Sequence, residues 1–163
     1  MTTAADLPLL ERRRLEAGVL VPLIRAFQAE FGEGRTNEIV GRTIREIARA
    51  QGEADRERLH IQTMDDLADR SLKGPTSDGS LIVDVVEQTP ERYGFNVTTC
   101  KFVQMYEDLG ARDLGPLLSC GRDFAYFEGL APGVAFNRTQ TRMEGAAYCD
   151  FRYRTDDSEP HDR

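Results

Sequence analysis

Leu81-Ile82-Val83-Asp84-Val85-Val86 and, beyond a Thr89-Pro90-Glu91-Arg92 turn, Gly94-Phe95-Asn96-Val97-Thr98-Thr99-Cys100 are the stretches that decide the fold. Both are rich in β-branched residues, which suit extended backbone, and both are bounded by turn formers. They predict a β-hairpin. N-terminal to them the period changes. Leu20, Leu23, Ile24, Phe27 and Phe31, then Ile39, Val40, Ile44, Ile47 and Ala48, recur at helical spacing and predict a helical hairpin over residues 7 to 52. Gly32 and Gly34 punctuate it, and Thr36 or Asn37 is expected to cap the second arm. Pro22 predicts a break near Gly18, because an interior proline removes one helix hydrogen bond and crowds the preceding turn. Gly52 to Arg58 is highly charged. Thr63 to Leu72 reads as a short helix with Thr63 as cap and acids in its first turn, and Gly74 to Gly79 reads as a loop.

C-terminal to the hairpin, Lys101 to Leu109 returns to helical spacing and Gly110 stops it. Arg112 to Gly129 predicts a further helix with Leu117, Cys120, Phe124 and Phe127 on its apolar face. Two strands, Val134 to Met143 and Ala147 to Arg154, flank Glu144-Gly145-Ala146 as a second hairpin. The expected class is α+β: N-terminal helices, then two β-hairpins separated by helices, making a mostly antiparallel sheet of about four strands with helices on one face. Residues 1–154 form one domain in this reading, and the acidic stretch 155–163 is expected to be disordered.

The 163 residues carry a formal charge of −7, which argues against nucleic acid and anionic membrane as partners, since those bind clustered cations. Arg12, Arg13 and Arg14 do cluster, but beside Glu11 and Glu16 they read as a solvated helix face. No stretch has the apolar length of a membrane span and the N-terminus lacks a leader pattern, so a cytoplasmic protein is expected. Three widely spaced cysteines suit free thiols in a reducing compartment. The apolar N-terminal helices suit either core or a homo-oligomer interface.

Strand alternation places Asn96, Thr98 and Cys100 on one face of their strand and Phe95, Val97 and Thr99 on the other. Cys100 also stands where strand gives way to helix, a position whose free N–H groups lower a thiol pKa and favour a nucleophile. Cys120 and Asp123, three apart beside an apolar stripe, are a second candidate pair. Asp123 serves there either as a general acid or base, or as a structural partner of Arg122, Arg112 or Arg138. In the next strand Thr139 and Thr141 share a polar stripe with Asn137, while Arg138 shares the other face with Phe136. Cys149 alternates with Phe151 and Tyr153 and reads as core, with Asp150 facing away. There is no CxxC, HExxH, phosphate loop or GxSxG, and His60 lies in a charged helical region. A zinc site from Cys100, Cys120 and Cys149 lacks paired ligand spacing, so neither metal nor cofactor is expected.

In order and spacing, Asn96-Val97-Thr98-Thr99-Cys100, Ser119-Cys120-Gly121-Arg122-Asp123, Arg138-Thr139-Gln140-Thr141 and Gly145-Ala146-Ala147-Tyr148-Cys149-Asp150-Phe151 resemble the L-2-amino-thiazoline-4-carboxylic acid hydrolase family over residues 20 to 154. The resemblance implies hydrolytic opening of a small cyclic amidine-like ring to an N-carbamoyl amino acid. Cys100 then attacks or polarises the amidine carbon, Asp123 pairs with its nitrogens and shuttles a proton, and Cys120 is the second-choice nucleophile. Asn96, Thr139 and Thr141 hydrogen-bond the ring and Arg138 takes a substrate carboxylate, with Thr98 and Asp150 completing the candidate binding set. The same layout also resembles small-molecule-binding sensor domains related to the vinyl reductase type, which bind without chemistry. A third expectation is an interaction subunit of a larger complex.

Overall fold

The computed structural model describes residues 7–73 and 76–155. The β-branched stretches become β1 (Leu81–Gln88) and β2 (Arg92–Cys100), an antiparallel hairpin. β3 (Val134–Asn137) and β4 (Cys149–Thr155) form the second antiparallel pair, and β4 also pairs with β2, giving the sheet order β1-β2-β4-β3. The class is α+β, and the described residues form five α-helices: α1 (Leu9–Phe31), α2 (Glu33–Leu59), α3 (Met64–Lys73), α4 (Lys101–Asp108) and α5 (Arg122–Leu130).

Alternation along β2 and β4 buries Tyr93, Phe95 and Val97 together with Cys149, Phe151 and Tyr153. Met64, Leu67 and Ala68 of α3 and Leu130 of α5 cover this face, with Tyr126 and Phe127 packed against it. Its rings interlock: Phe95 stacks on Phe151 at 4.9 Å, and Tyr153 meets both Phe127 and Phe136 at 4.9 Å. Each such pair contributes about 0.5–1.5 kcal/mol beyond area burial. A second core joins Ala17 and Ile24 of α1, Ile44 of α2 and Phe102, Met105 and Tyr106 of α4.

Four sequence expectations are corrected. First, α1 runs unbroken through Pro22. The carbonyl that Pro22 leaves unpaired belongs to Gly18, and both residues are exposed, so water can satisfy it while Ala17 and Ile24 hold the two halves in the core. Second, neither Thr36 nor Asn37 caps α2, which begins at Glu33 directly after Gly32. Asn37 instead accepts a 2.8 Å hydrogen bond from Gln28 of α1, clasping the two helices. Third, the charged stretch 52–58 continues α2. Gly52 is there for closeness: a Cβ on it would lie 2.1 Å from the Tyr126 carbonyl oxygen, and one on Gly129 would lie 2.3 Å from that of Arg49. The backbones of α2 and α5 therefore touch. Fourth, residues 112–129 do not form one helix but a 3₁₀ turn (Arg112–Leu114), a π-helical turn (Pro116–Cys120) and then α5.

Thr63 does cap α3, accepting the Asp66 N–H at 3.1 Å while Asp66 accepts that of Thr63 at 2.8 Å, a reciprocal capping box. The Gly74–Pro75 part of the expected loop lies outside the described residues, as does the stretch beyond Thr155. Thr155 itself ends β4, its N–H donating to the Glu91 carbonyl at 2.9 Å. Among the described residues no helix is long and apolar enough to cross a membrane.

Candidate active site

Two irregularities in otherwise regular elements bring the thiols together. In the β1–β2 ladder Ile82 pairs with Thr99 but Val83 pairs with Val97, so Thr98 is an extra residue, a β-bulge. The bulge reverses alternation beyond it. Cys100 therefore leaves the face of Asn96 and Thr98, where simple alternation placed it, and packs against the core beside Val97 and Cys149. The π-helical turn does the equivalent for Cys120, ending in Gly121 so that α5 starts with Arg122 and Asp123 pointing inward. A cavity of about 840 Å³ results, lined by Cys100, Cys120, Cys149, Asp123, Arg138 and the rings of Phe95, Tyr126, Phe127 and Phe151.

Arg138 enters this cavity because β3 stops at Asn137, shorter than the expected Val134–Met143 strand. Its guanidinium pairs with the Asp123 carboxylate, donates to the Cys120 carbonyl at 3.0 Å, and lies 5.2 Å and 5.5 Å from the ring centres of Phe124 and Phe151. Of the partners weighed for Asp123, Arg138 is the one it has. Burial raises the Asp123 carboxyl to about 6, with Arg138 opposing the shift. About a third of that side chain is open, but it opens into the cavity.

The expectation of a depressed Cys100 pKa is overturned. Burial pushes the thiol up to about 11, and the N–H groups of Val103 and Phe102 at the start of α4 offset this only in part. Desolvation of the thiolate in an apolar wall outweighs the pull of the helix start. Cys120 is raised by burial and then by the charge of Asp123. Cys149 is raised by burial, against the Arg142 N–H that it accepts at 3.2 Å.

The far end of the cavity is basic, and there the sequence reading of Arg12 and Arg13 as solvated fails. Both line the cavity with Arg122 of α5. Only 8% of the Arg122 side chain is exposed, and it donates to Gln51 at 3.1 Å with Glu16 3.8 Å away. Burial, and next the positive charge of Arg13, lower Arg122 to about 10, so it stays a cation at neutral pH. Arg13 is held by Glu16 at 2.7 Å. Nearby, Tyr126 donates to Asp55 at 2.8 Å, with Arg70 3.7 Å from the same carboxylate. In all, six arginines (12, 13, 58, 70, 122, 138) face three aspartates (55, 78, 123) around the cavity. A basic interior in a chain of net charge −7 is the one signal of this end in the sequence, and the glutamates beside the arginine run masked it.

Five candidate binding residues do not line the cavity. Asn96 and Thr98 occupy the opposite sheet face, where Asn96 accepts from Arg152 at 2.8 Å and Thr98 donates to the Ile82 carbonyl at 3.3 Å. Thr139, Thr141 and Asp150 build the loop after β3. Asp150 accepts the N–H groups of Thr139 and Gln140 at 3.0 and 2.9 Å and the Thr139 hydroxyl at 2.6 Å, while Thr141 donates to Glu144 at 2.6 Å. Because residues 138–141 are not strand, the polar stripe drawn from alternation does not form. His60, exposed in a left-handed conformation at the end of α2, is not among the lining residues. Among the described residues no three His, Cys, Asp or Glu side chains converge to hold a metal ion.

Comparison with solved structures finds the phenol-responsive sensory domain of the transcription activator PoxR, crystallised with phenol. The two share 12% identity and a TM-score of 0.48 over 95% of this chain and 75% of that one. No curated protein matches. The family model described as L-2-amino-thiazoline-4-carboxylic acid hydrolase matches residues 12–153, which include most of α1, the three thiols, Asp123 and the six arginines of the cavity. The chain belongs to the L-2-amino-thiazoline-4-carboxylic acid hydrolase family.

Proposed function

We propose that this protein hydrolyses a small cyclic amidine-like ring bearing a carboxylate, 2-amino-thiazoline-4-carboxylate or a related heterocycle, to an N-carbamoyl amino acid. The observation that carries the reading is Asp123, held at about 6 in a cation-walled cavity that it shares with three thiols. A carboxylate poised there is ionised at neutral pH and still basic enough to take and return a proton. It also complements a cationic amidine. The ring carboxylate goes to Arg122 and Arg13, because Arg138 is already engaged by Asp123.

Cys100 is the nucleophile in this scheme. At about 11 its thiol gives up a proton to Asp123 far more readily than water, whose pKa is about 16. As its sulfur bonds to the amidine carbon, Asp123 takes the proton. The ring C–S bond then breaks, and the departing sulfur takes the proton back. Water next adds to the enzyme-bound isothiourea: one of its protons goes to the imine nitrogen, and Asp123 relays the other to the Cys100 sulfur as that C–S bond breaks and the carbamoyl C=O forms. One water is consumed and the thiol is restored.

The test is a mass-spectrometric screen of thiazolines, other cyclic amidines, hydantoins and lactams for a gain of one water, run with the Cys100→Ser and Asp123→Asn variants. Turnover that both substitutions abolish supports the scheme. Full activity in Cys100→Ser with none in Cys120→Ser moves the nucleophile to Cys120. The raised thiols also favour a second reading, a binding domain without chemistry. Tight ligand binding with no product across the panel selects it.

A further inference from the structure

Arg12, Arg13 and Arg122 make up the basic end of the cavity, and their charge exceeds what the reaction proposed above uses. Arg13 and Arg122 are nearly dry, with 12% and 8% of their side chains exposed. The acid they share is Glu16, 2.7 Å from Arg13, 3.8 Å from Arg122 and itself 43% exposed. Arg12 pairs with no acid among the described residues, and its Nε is shut off from solvent without a hydrogen-bond partner. Three guanidiniums against one carboxylate leave two positive charges uncancelled, in a chain whose net charge is −7. A buried cation without a counter-charge is costly, and an unpaired buried donor marks a place where something else completes the hydrogen bonding. One ring carboxylate cancels half of the surplus.

Volume adds an independent sign. An amino-thiazoline carboxylate has roughly nine non-hydrogen atoms, which at the ~30 Å³ that a water takes in its liquid fill about 270 Å³. The cavity of about 840 Å³ admits a much larger ligand. Such a ligand can lie against Asp123 and the arginines together. Arg122 directly precedes Asp123 on α5, and after Arg138 the charges of Arg122 and Arg13 also oppose the burial that raises that carboxyl.

We infer that this end of the cavity is a dianion site: the head group of the ligand carries two negative charges, as a pair of carboxylates or a phosphate monoester does, and Arg12, Arg13 and Arg122 hold it. Guanidinium forks suit either head, since each offers paired N–H donors to two oxygens of one group. Arg12 is the specificity determinant, because it supplies the cation that a lone carboxylate leaves uncancelled. That the head belongs to a ring substrate rests on the reaction proposed above, whereas the dianion site itself does not.

Isothermal titration calorimetry on the full chain with inorganic phosphate, malonate and acetate, at about pH 8 and low ionic strength, tests it without any turnover. Phosphate or malonate should bind one to one and about tenfold or more tighter than acetate, and the tighter of the two tells a phosphate from paired carboxylates. Arg12→Gln, folded by circular dichroism, should cut that dianion affinity about tenfold and leave acetate within about twofold, and Arg12→Lys should restore part of it. Arg14→Gln, at an exposed arginine of the same helix, should change neither. No dianion binding, acetate bound as tightly, or an equal loss in Arg14→Gln overturns the inference. So does a dianion affinity that rises about tenfold when Asp6, Asp156, Asp157, Glu159 and Asp162 become amides, since the chain then supplies the second charge itself. Asp123→Asn, inactive in the proposed scheme, should still bind the dianion. One-to-one dianion binding with no ring opened across the panel keeps the site and sinks the reaction. A ring with a single carboxylate opened as fast as its diacid counterpart keeps the reaction and overturns the site.

Discussion

Asp123 and Asp150 stand in equally prominent motifs, Cys-x-x-Asp and Cys-Asp-Phe, yet the fold gives them opposite surroundings. Asp123 lies inside the cavity, where burial raises its carboxyl to about 6 against the opposing pull of Arg138. Asp150 lies on the other side of the sheet. What burial it has works to raise it, but the Thr139 hydroxyl and the N–H groups of Gln140 and Thr139 together outweigh that and lower its pKa. A carboxylate satisfied by three donors is a stable anion with no reason to take a proton, and it organises a loop. One whose burial outweighs the cations around it can exchange a proton near neutrality. Chemistry thus follows the surroundings of a residue type rather than its motif.

The largest test of that contrast is Asp123→Asn, which should lower kcat by about 10²–10⁴ where Asp150→Asn leaves it nearly unchanged. Comparable losses in both, with both folded, would break the comparison. Next, Arg138→Met leaves a buried carboxylate without its cation. A loss of about 3–5 kcal/mol in urea unfolding is expected at pH 8, shrinking at pH 5 where Asp123 can protonate. Titration supplies a third effect. A folded-state pKa raised from 3.8 to about 6 means the folded protein holds this proton more tightly than the unfolded chain. The associated stability is present below pH 4 and is lost as pH rises through 6, by at most about 3 kcal/mol. The wild-type minus Asp123→Asn difference in unfolding free energy should therefore fall between pH 4 and 6 and then flatten, and the acid limb of kcat/KM should lie near 6. A flat difference would show Asp123 to be ordinary. Fourth, Cys100 at about 11 should react with iodoacetamide at pH 7 roughly a hundredfold more slowly than a free thiol, because only the thiolate attacks.

The four strands, their antiparallel pairing and the helices before and between them are legible in periodicity, because alternation and 3.6-residue spacing report directly which side of an element is dry. The site was legible only where those periods hold. Cys100 reaches the cavity through a single extra residue at Thr98, and no feature of Asn96-Val97-Thr98-Thr99-Cys100 marks a bulge. Arg138 turns inward because the chain leaves the sheet at Asn137, a decision made by Asp150 eleven or so residues away capturing Thr139 and Gln140. Gly52 and Gly129 read as interruptions but serve as contact points between backbones, a role that needs the partner helix to be visible. Arg12 and Arg13 looked solvated because glutamates adjoin them in sequence, whereas the cavity that they face is assembled from α1, α2, α5 and the sheet. Periodicity sees an element's faces and not what three other elements enclose.

The smallest effect is the one that ties the two carboxylates together. Asp150→Ala removes three hydrogen bonds from a partly exposed loop, so the stability cost should be modest, about 1–2 kcal/mol in chemical denaturation. Its catalytic consequence runs through position alone. The N–H groups of Thr139 and Gln140 fix the chain immediately after Arg138, so freeing them lets the guanidinium drift from Asp123 and the Cys120 carbonyl. With less cationic opposition to burial, Asp123 should titrate higher, and the acid limb of kcat/KM should move above 6 while the plateau kcat changes by less than about tenfold. Asp150→Asn keeps one carbonyl acceptor for the two N–H groups and should restore the limb. A limb that stays put in Asp150→Ala would mean that Arg138 is held by its own contacts with Phe124 and Phe151, and that the loop and the cavity are independent.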